Sequence, residues 1–163
     1  MMIFPSAERQ QPMSTLPVSD NTAKHSLSTR TSLVISGNAY IDGARQRGWF
    51  IGHFLGETCG LRSTPSLEVK WSVPRAGEEK AQWGVSKSAT TLCLLIKGRV
   101  SIRFPMTECI LSHEGDYVIW SAGIPHRWMV AEDALVLTIR WPSTAGDYCE
   151  QVQSKMTNVY ERH

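Results

Sequence analysis

The stretch GDYVIWSAGIPHRW, residues 115–128, decides the fold. A glycine opens it, a four-residue apolar run follows, and a second glycine-containing turn ends just before His126. A short apolar run between turn residues is typical of a β-strand. Three functions stay open for His126: a metal ligand, a contact to a bound molecule, or a tie between this turn and a neighbouring strand.

Similar short apolar runs continue on both sides of this stretch. They are separated by Gly, Pro, Asp or Ser, and they are SLVIS, AYID, GWFIGHFL, SLEVKWSV, TTLCLLIKG, RVSIRF and ALVLTIRW. This pattern predicts an antiparallel all-β sandwich or barrel rather than alternating strands and helices.

Alternation within the runs indicates two faces for each strand. In ALVLTIRW, residues 134–141, one face carries Leu, Leu, Ile and Trp, and the other carries Ala, Val, Thr and Arg140. In RVSIRF, residues 99–104, apolar residues alternate with Arg99, Ser101 and Arg103. The sequence leaves open which face of such strands lines the interior.

The chain divides into three segments by composition. Residues 1–32 are rich in Ser, Thr, Gln and Pro and predict a flexible N-terminal arm. Residues 33–142 contain the strand pattern. In residues 143–163, Tyr148, Val152 and Met156 recur at helical spacing, which predicts one C-terminal amphipathic helix that packs on the barrel or serves a partner.

Composition excludes several classes of protein. The net charge of +2 gives no indication of nucleic-acid binding. No apolar run reaches the roughly 20 residues that span a bilayer, and no export signal is visible, so we expect a soluble cytoplasmic protein without membrane or nucleic-acid partners. The four cysteines form no C-x-x-C pair, so neither a disulfide nor a zinc site is expected.

Residues 115–126 resemble the second motif of the cupin superfamily. Gly115, Gly123 and His126 stand at the spacings of that motif, while Ser121 replaces its proline. In LLIKGRVSIRF, Gly98 resembles the glycine that closes the first cupin motif. The resemblance covers roughly residues 67–142 and implies a single cupin-like antiparallel jelly-roll barrel. Since many cupins pair through their sheets, it also implies a homodimer.

The sequence lacks most of the metal ligands that metal-binding cupins carry. Metal-binding cupins carry two histidines and a glutamate in the first motif and a histidine in the second. Here the glutamate position falls on Thr91, and the histidine positions fall within WGVSK, residues 83–87. A stable divalent site takes at least three N, O or S ligands, so no metal cofactor is expected. If a metal is bound, the candidate ligands are His126, His53, Glu78 and Glu79.

Tryptophan and arginine side chains offer an alternative chemistry inside such a barrel. Guanidinium groups pair with carboxylate or phosphate, and tryptophan faces stack on planar rings. The predicted ligand-binding residues are His126, Trp71, Trp83, Trp120, Arg99 and Arg140. The competing interpretation makes the tryptophans core residues, and adjacent strand residues face opposite sides.

These patterns favour a metal-free or degenerate cupin that senses, carries or sequesters a small anionic, ring-containing molecule, such as a nucleotide derivative or an aromatic acid. One alternative is a metal-dependent oxygenase, isomerase or hydrolase with non-standard ligands. A second is a structural dimerisation module, which a filled barrel would favour. No nucleophile elbow, phosphate loop or H-E-x-x-H motif occurs, so no catalytic residue is assigned.

Overall fold

The computed structural model describes residues 34–151. The predicted N-terminal arm therefore lies outside the described residues, as do residues 152–163 of the predicted C-terminal helix. The described elements are α1 (Ala39–Asp42), 3-10 helices at Ala44–Gln46 and Glu57–Arg62, β1 (Trp49–Ile51), β2 (Glu68–Ser72), β3 (Trp83–Ser86), β4 (Thr90–Phe104), β5 (Thr107–Leu111), β6 (Tyr117–Trp120), β7 (Arg127–Trp141) and β8 (Tyr148–Gln151). No helix in this part of the chain is long and apolar enough to cross a bilayer.

The strands form two antiparallel sheets. The larger sheet has the order β1-β2-β7-β4-β5, with β6 also paired to β4, and the smaller sheet consists of β3 and β8. Isolated bridges from His126 to Gly84 and from Met129 to Glu79 join β7 and the turn before it to the segment around β3. The predicted antiparallel jelly-roll barrel is confirmed.

The long central strands β4 and β7 pair along most of their length and carry the core. Register shifts between Leu95 and Val100 of β4 bend this pair. The buried cluster is built mainly from these two strands and comprises Cys93, Leu95, Val100, Ile102, Leu111, Trp120, Val130, Ala134 and Val136.

The strand register settles which face lies inside. Lys70 of β2, Thr138 of β7 and Cys93 of β4 stand opposite one another across the sheet and line one internal cavity. The mixed face of β7, with Val136, Thr138 and Arg140, therefore points inward. The face with Leu135, Leu137, Ile139 and Trp141 points outward.

The outward face of the larger sheet is apolar. Two rows of directly opposed residues cross it, namely Trp71, Leu137, Leu94 and Tyr117 in one row and Val69, Ile139, Leu92 and Ile119 in the other. Tyr117 is 63% exposed and Ile119 is 50% exposed, so the β6 end of this face is open to solvent among the described residues.

Three predicted elements are wrong. In the run SLVIS, predicted as a strand, the described residues 34–36 form no strand. The run AYID, predicted as a strand, forms the short helix α1, because the side chain of Asn38 accepts hydrogen bonds from the backbone N–H groups of Tyr40 and Ile41 and caps the first turn.

Tyr148–Gln151 belongs to the predicted helix but forms strand β8, which supplies β3 with its strand partner. The chain is fixed just before it, since Asp147 accepts hydrogen bonds from both the backbone N–H and the hydroxyl of Ser88.

We expect Gly98→Ala to destabilise the barrel more than Gly115→Ala. Both glycines have positive φ, 90° and 88°, so each alanine incurs a backbone strain of roughly 1–3 kcal/mol. Of the two positions, only Gly98 would bring the added Cβ into collision with backbone atoms, those of Asp133 and Ala134 in β7; at Gly115 no atom of the described residues lies within 4 Å. Urea unfolding of both variants measures the difference, and equal losses would contradict this packing.

Candidate ligand-binding cavity

A cavity of about 580 Å³ lies among β2, β4 and β7. Its apolar wall consists of side chains from β4 and β7, namely Val100, Ile102, Trp128, Val130 and Val136. Its polar lining includes Tyr40, Arg47, Lys70, Ser72, Glu78, Cys93 and Thr138. An apolar wall with a few convergent polar groups is the usual composition of a small-molecule site, and the volume falls in the usual range.

Lys70 is the central polar group of this cavity. Within residues 34–151, the ion pairs engage other cations, and no carboxylate or hydrogen-bond acceptor pairs with the Lys70 amine. Its Nζ lies 5.8 Å from the centroid of the Trp49 ring. Burial lowers the pKa of Lys70, and the positive charges of Arg140, Arg47 and Lys80 lower it further.

Arg47 adds a second cation to the cavity lining. It is exposed and adopts a left-handed backbone conformation, with φ 53° and ψ 36°, that is uncommon for residues other than glycine. Gly48 follows with φ 92°, and a Cβ there would collide with the Trp71 carbonyl oxygen. The close approach of this turn to β2 brings Arg47 near Lys70.

A buried ion pair lies in the next row of the same inner face. Glu68 is 3% exposed and accepts hydrogen bonds from Nε of Arg140, at 2.9 Å, and from its Nη2. The Ser143 hydroxyl donates to Glu68 Oε1 at 3.2 Å, and His53 Nδ1 lies 3.4 Å from the same oxygen. The Arg140 guanidinium also lies 4.3 Å from the Trp49 ring centroid. The buried carboxylate is thus compensated on both oxygens.

His126 is anchored by its backbone and buried by aromatic rings. Its N–H and C=O both bond to Gly84, at 2.9 and 2.8 Å, so it ties the turn to β3. Its ring packs against Trp120, with centroids 4.7 Å apart, and Nδ1 lies 3.5 Å from the carbonyl oxygen of Ile124. Burial lowers the pKa of His126 to about 4, so the imidazole is neutral at physiological pH.

All three glycines of the sequence motifs adopt a backbone conformation that favours glycine. Gly98, Gly115 and Gly123 have φ values of 90°, 88° and 80°, and they lie in the bend of β4 and in the turns on either side of β6. The motif histidine His126 is buried beside Trp120, whose partner across the sheet is Thr91 of the first motif. The chain has a cupin fold.

No protein-family model and no curated protein matches this sequence. Solved structures similar to it include an uncharacterised protein with a double-stranded β-helix domain from Klebsiella pneumoniae, at 19% identity and a TM-score of 0.49 over 55% of this chain and 78% of the other. A cupin-2 domain protein from Shewanella frigidimarina is similar at 18% identity and a TM-score of 0.41, over 45% and 69% of the two chains. KdgF from a Halomonas species is similar at 18% identity and a TM-score of 0.46, over 50% and 74%.

The residues at the metal positions of this cupin barrel do not suit a metal ion. Gly84, inside the predicted histidine window, carries no ligand side chain, and the Tyr148 hydroxyl occupies the position that a Cβ there would take. Ser86 and Thr91 are buried hydroxyl residues, which leaves His126 as the one imidazole of the set. Among residues 34–151, no group of three or more His, Cys, Asp or Glu side chains is arranged to hold a metal.

The alternative metal ligands are also dispersed. His53 hydrogen-bonds Ser143 Oγ through Nδ1, at 2.7 Å, beside Glu68. Glu78 is exposed and lines the cavity, whereas exposed Glu79 pairs through its backbone with Met129. The structure does not bring these residues together with His126.

The predicted ligand-binding residues lie in several places. Trp71 contributes to the cavity wall, but the strand alternation puts its side chain on the face opposite Lys70. Trp83 stacks with Arg127, at 4.9 Å from guanidinium carbon to ring centroid. Trp120 is buried between Phe104 and His126.

Of the two predicted arginines, Arg140 points inward but is engaged by Glu68. Arg99 is exposed on the face of β4 opposite Val100 and does not line this cavity, so its binding function stays a prediction. Lys70 and Arg47 were missed. The pattern EVKWS held a usable signal for Lys70, because Glu68 and Lys70 share one face of a strand whose other face is apolar.

We expect Arg140→Met to lower the free energy of unfolding by roughly 3–5 kcal/mol, because it leaves the buried Glu68 carboxylate without its guanidinium. Combining it with Glu68→Gln should recover much of the loss. The matched control is Arg103→Met, which breaks an exposed pair with Glu108 and should change little. Chemical denaturation measures all three, and equal losses for Arg140→Met and Arg103→Met would refute a structural function for the buried pair.

Acidification should destabilise the protein through His126. Its pKa lies near 4 in the folded state and near 6.5 when unfolded, so the unfolded state binds more protons between these values and stability falls as pH falls. Protonation linked to His126 should lower the free energy of unfolding by roughly 2 kcal/mol between pH 7 and pH 5.

Urea unfolding at both pH values measures that loss, and His126→Gln should reduce it. His113→Gln, at a largely exposed turn residue, serves as the control. An unchanged pH dependence in His126→Gln would show that another group is responsible.

Proposed function

We propose that this barrel binds a small organic anion, with the negative group of the ligand on the Lys70 amine and its body against the apolar wall. The observation that carries the proposal is the partly buried Lys70 amine, which has no carboxylate or hydrogen-bond partner among residues 34–151 and lines a cavity of about 580 Å³. Burying an uncompensated charge is costly, so a ligand that supplies a negative group gains free energy at this position.

The charges around the cavity support an anionic ligand. Arg47 lines the cavity, and Arg140 and Lys80 raise the positive potential at Lys70. Glu68, the nearest buried carboxylate on the same face, is already held by Arg140. Glu78 lies on the lining but is exposed, so solvent screens it.

The apolar wall supports an aromatic or branched body for the ligand. Trp128 offers an aromatic surface, and Val100, Ile102, Val130 and Val136 add aliphatic side chains to the same lining. An aromatic acid therefore suits the cavity better than a purely polar anion. The neutral, enclosed ring of His126 is absent from the cavity lining, so it does not contact a ligand bound there.

The two alternative functions have less support. A purely structural module was expected to have a filled interior, whereas the described barrel contains a cavity. A metal-dependent enzyme needs a convergent donor set, which Gly84, Ser86 and Thr91 do not provide beside His126.

The homodimer stays a prediction. The apolar outward face of the larger sheet, with exposed Tyr117 and Ile119, is the surface on which a second copy would pack. Apart from Trp71, the residues of the two rows on this face are absent from the cavity lining, so ligand binding within one chain does not require a second copy.

We expect benzoate and phenyl phosphate to raise the melting temperature of the protein and benzamide, the neutral counterpart, to have little effect. Lys70→Met should lower the affinity for the two anions about 10- to 100-fold, which corresponds to the loss of one hydrogen bond to a charged group. It should not destabilise the free protein, because it removes a cation that burial disfavours.

Thermal shift and calorimetric titration measure both effects. The control, Lys97→Met, removes an exposed lysine of β4 and should bind as the wild type does. Equal binding to wild type and Lys70→Met, or stabilisation by benzamide alone, would overturn the proposal.

A further inference from the structure

We propose that the Lys70 amine forms a Schiff base with the carbonyl group of a small 2-oxo acid in the cavity. This inference rests on the proposed anion site and adds a covalent step to it. It assigns the ligand class, an acid with an adjacent ketone or aldehyde, and it makes Lys70 a nucleophile as well as a binding group.

The position of Lys70 suits a nucleophile. It stands at the centre of β2, in one row with Thr138 and Cys93, and its amine shares the cavity with the apolar wall. No hydrogen bond or carboxylate among the described residues holds the amine in its ammonium form. An amine is therefore available at a site that can take up a small molecule.

The surrounding charges favour the reactive, neutral amine. Burial and the cations Arg140, Arg47 and Lys80 all lower the pKa of Lys70. Desolvation and neighbouring cations are the two means by which proteins activate lysines for Schiff-base formation. A paired lysine such as Lys80, beside Glu150 at 3.3 Å, lacks this combination.

Cys93 also lines the cavity, but its thiol does not compete with the Lys70 amine for the carbonyl carbon. Burial raises the pKa of its thiol to about 12, so it stays protonated and unreactive at physiological pH. Ser72 and Thr138 contribute hydroxyl groups to the same lining, which can exchange protons with the reacting oxygen. The chemistry is thus directed to the amine.

Arg47, the second cation of the cavity lining, is the reason why we expect the carbonyl compound to be an acid. Arg47 lies on the cavity lining and is not paired with a carboxylate among residues 34–151, so it can take the carboxylate while the carbonyl carbon faces Lys70. Both cations can contact the carboxylate when the acid binds, and Arg47 keeps that contact while the Lys70 nitrogen adds to the carbonyl carbon.

The reaction balances without an oxidant or metal. The amine nitrogen adds to the carbonyl carbon, which gives a carbinolamine, and its hydroxyl then leaves as water after taking up a proton. One C–N double bond replaces the C–O double bond, the two amine hydrogens end in the water, and the carboxylate is unchanged. Hydrolysis reverses the step.

The test is reductive trapping on the full chain. The protein is incubated with phenylpyruvate and sodium borohydride at neutral pH, and the adduct is located by intact-mass and peptide mass spectrometry. We expect one adduct per chain, on Lys70, at least tenfold faster than on exposed Lys97 or Lys87. Lys70→Met and Lys70→Arg should abolish it, whereas Lys97→Met should leave it unchanged.

Thermal stabilisation measured without borohydride tests the anion site separately from the Schiff base. Phenyllactate is the matched acid without the carbonyl group, so stabilisation by both acids with trapping only by phenylpyruvate supports both proposals. Stabilisation by both acids with no adduct on Lys70, or with adducts spread evenly over exposed lysines, would overturn the Schiff base and leave the anion site. Mapping on the wild-type chain keeps the test decisive if a Lys70 variant fails to fold.

Discussion

The ion pair between Glu68 and Arg140 sets the polarity of the barrel interior. It joins β2 to β7 across directly opposed positions, at a depth where an uncompensated charge would be costly. Ser143 and His53 bring two loop segments to the same carboxylate, so one buried acid organises parts of the chain that are distant in sequence. The interior can then hold polar residues without losing its packing.

The same pair determines which cation remains available. Because Arg140 is engaged by Glu68 and stacked on Trp49, its charge acts at Lys70 only as a background potential. One row further along the inner face, Lys70 has neither a carboxylate nor a hydrogen-bond partner in the described part of the chain. The fold thus separates a compensated charge, which stabilises the barrel, from an uncompensated one, which faces a cavity.

The strand pattern and the motif glycines were enough to predict the fold. The positions of Gly98, Gly115 and Gly123 depend on backbone geometry that the spacing already specifies. The inward face was not predictable, because both faces of β7 carry apolar residues and only the pairing with β2 shows that Thr138 and Arg140 point inward. β8 was missed because helical spacing at Tyr148 coincides with a strand whose partner lies far back in the sequence.

The candidate site was harder to predict for a related reason. The sequence-based prediction assigned ligand binding to tryptophans such as Trp71. Trp71 and Lys70 are neighbours on one strand, however, so their side chains must face opposite sides of the sheet. Arg47 carries no sequence signal apart from the glycine after it, because its place at the cavity follows from the left-handed turn between a 3-10 helix and β1.

The late position of β8 has a consequence for biosynthesis. β3 obtains its strand partner only when Tyr148–Gln151 has left the ribosome, long after β4 and β7 can pair. Until then Gly84 faces open space where the Tyr148 hydroxyl will later sit, and Lys80 lacks its contacts with Tyr148 and Glu150. The nascent barrel therefore stays open on the side of β3 until β8 pairs with it, after β4 and β7 are able to pair.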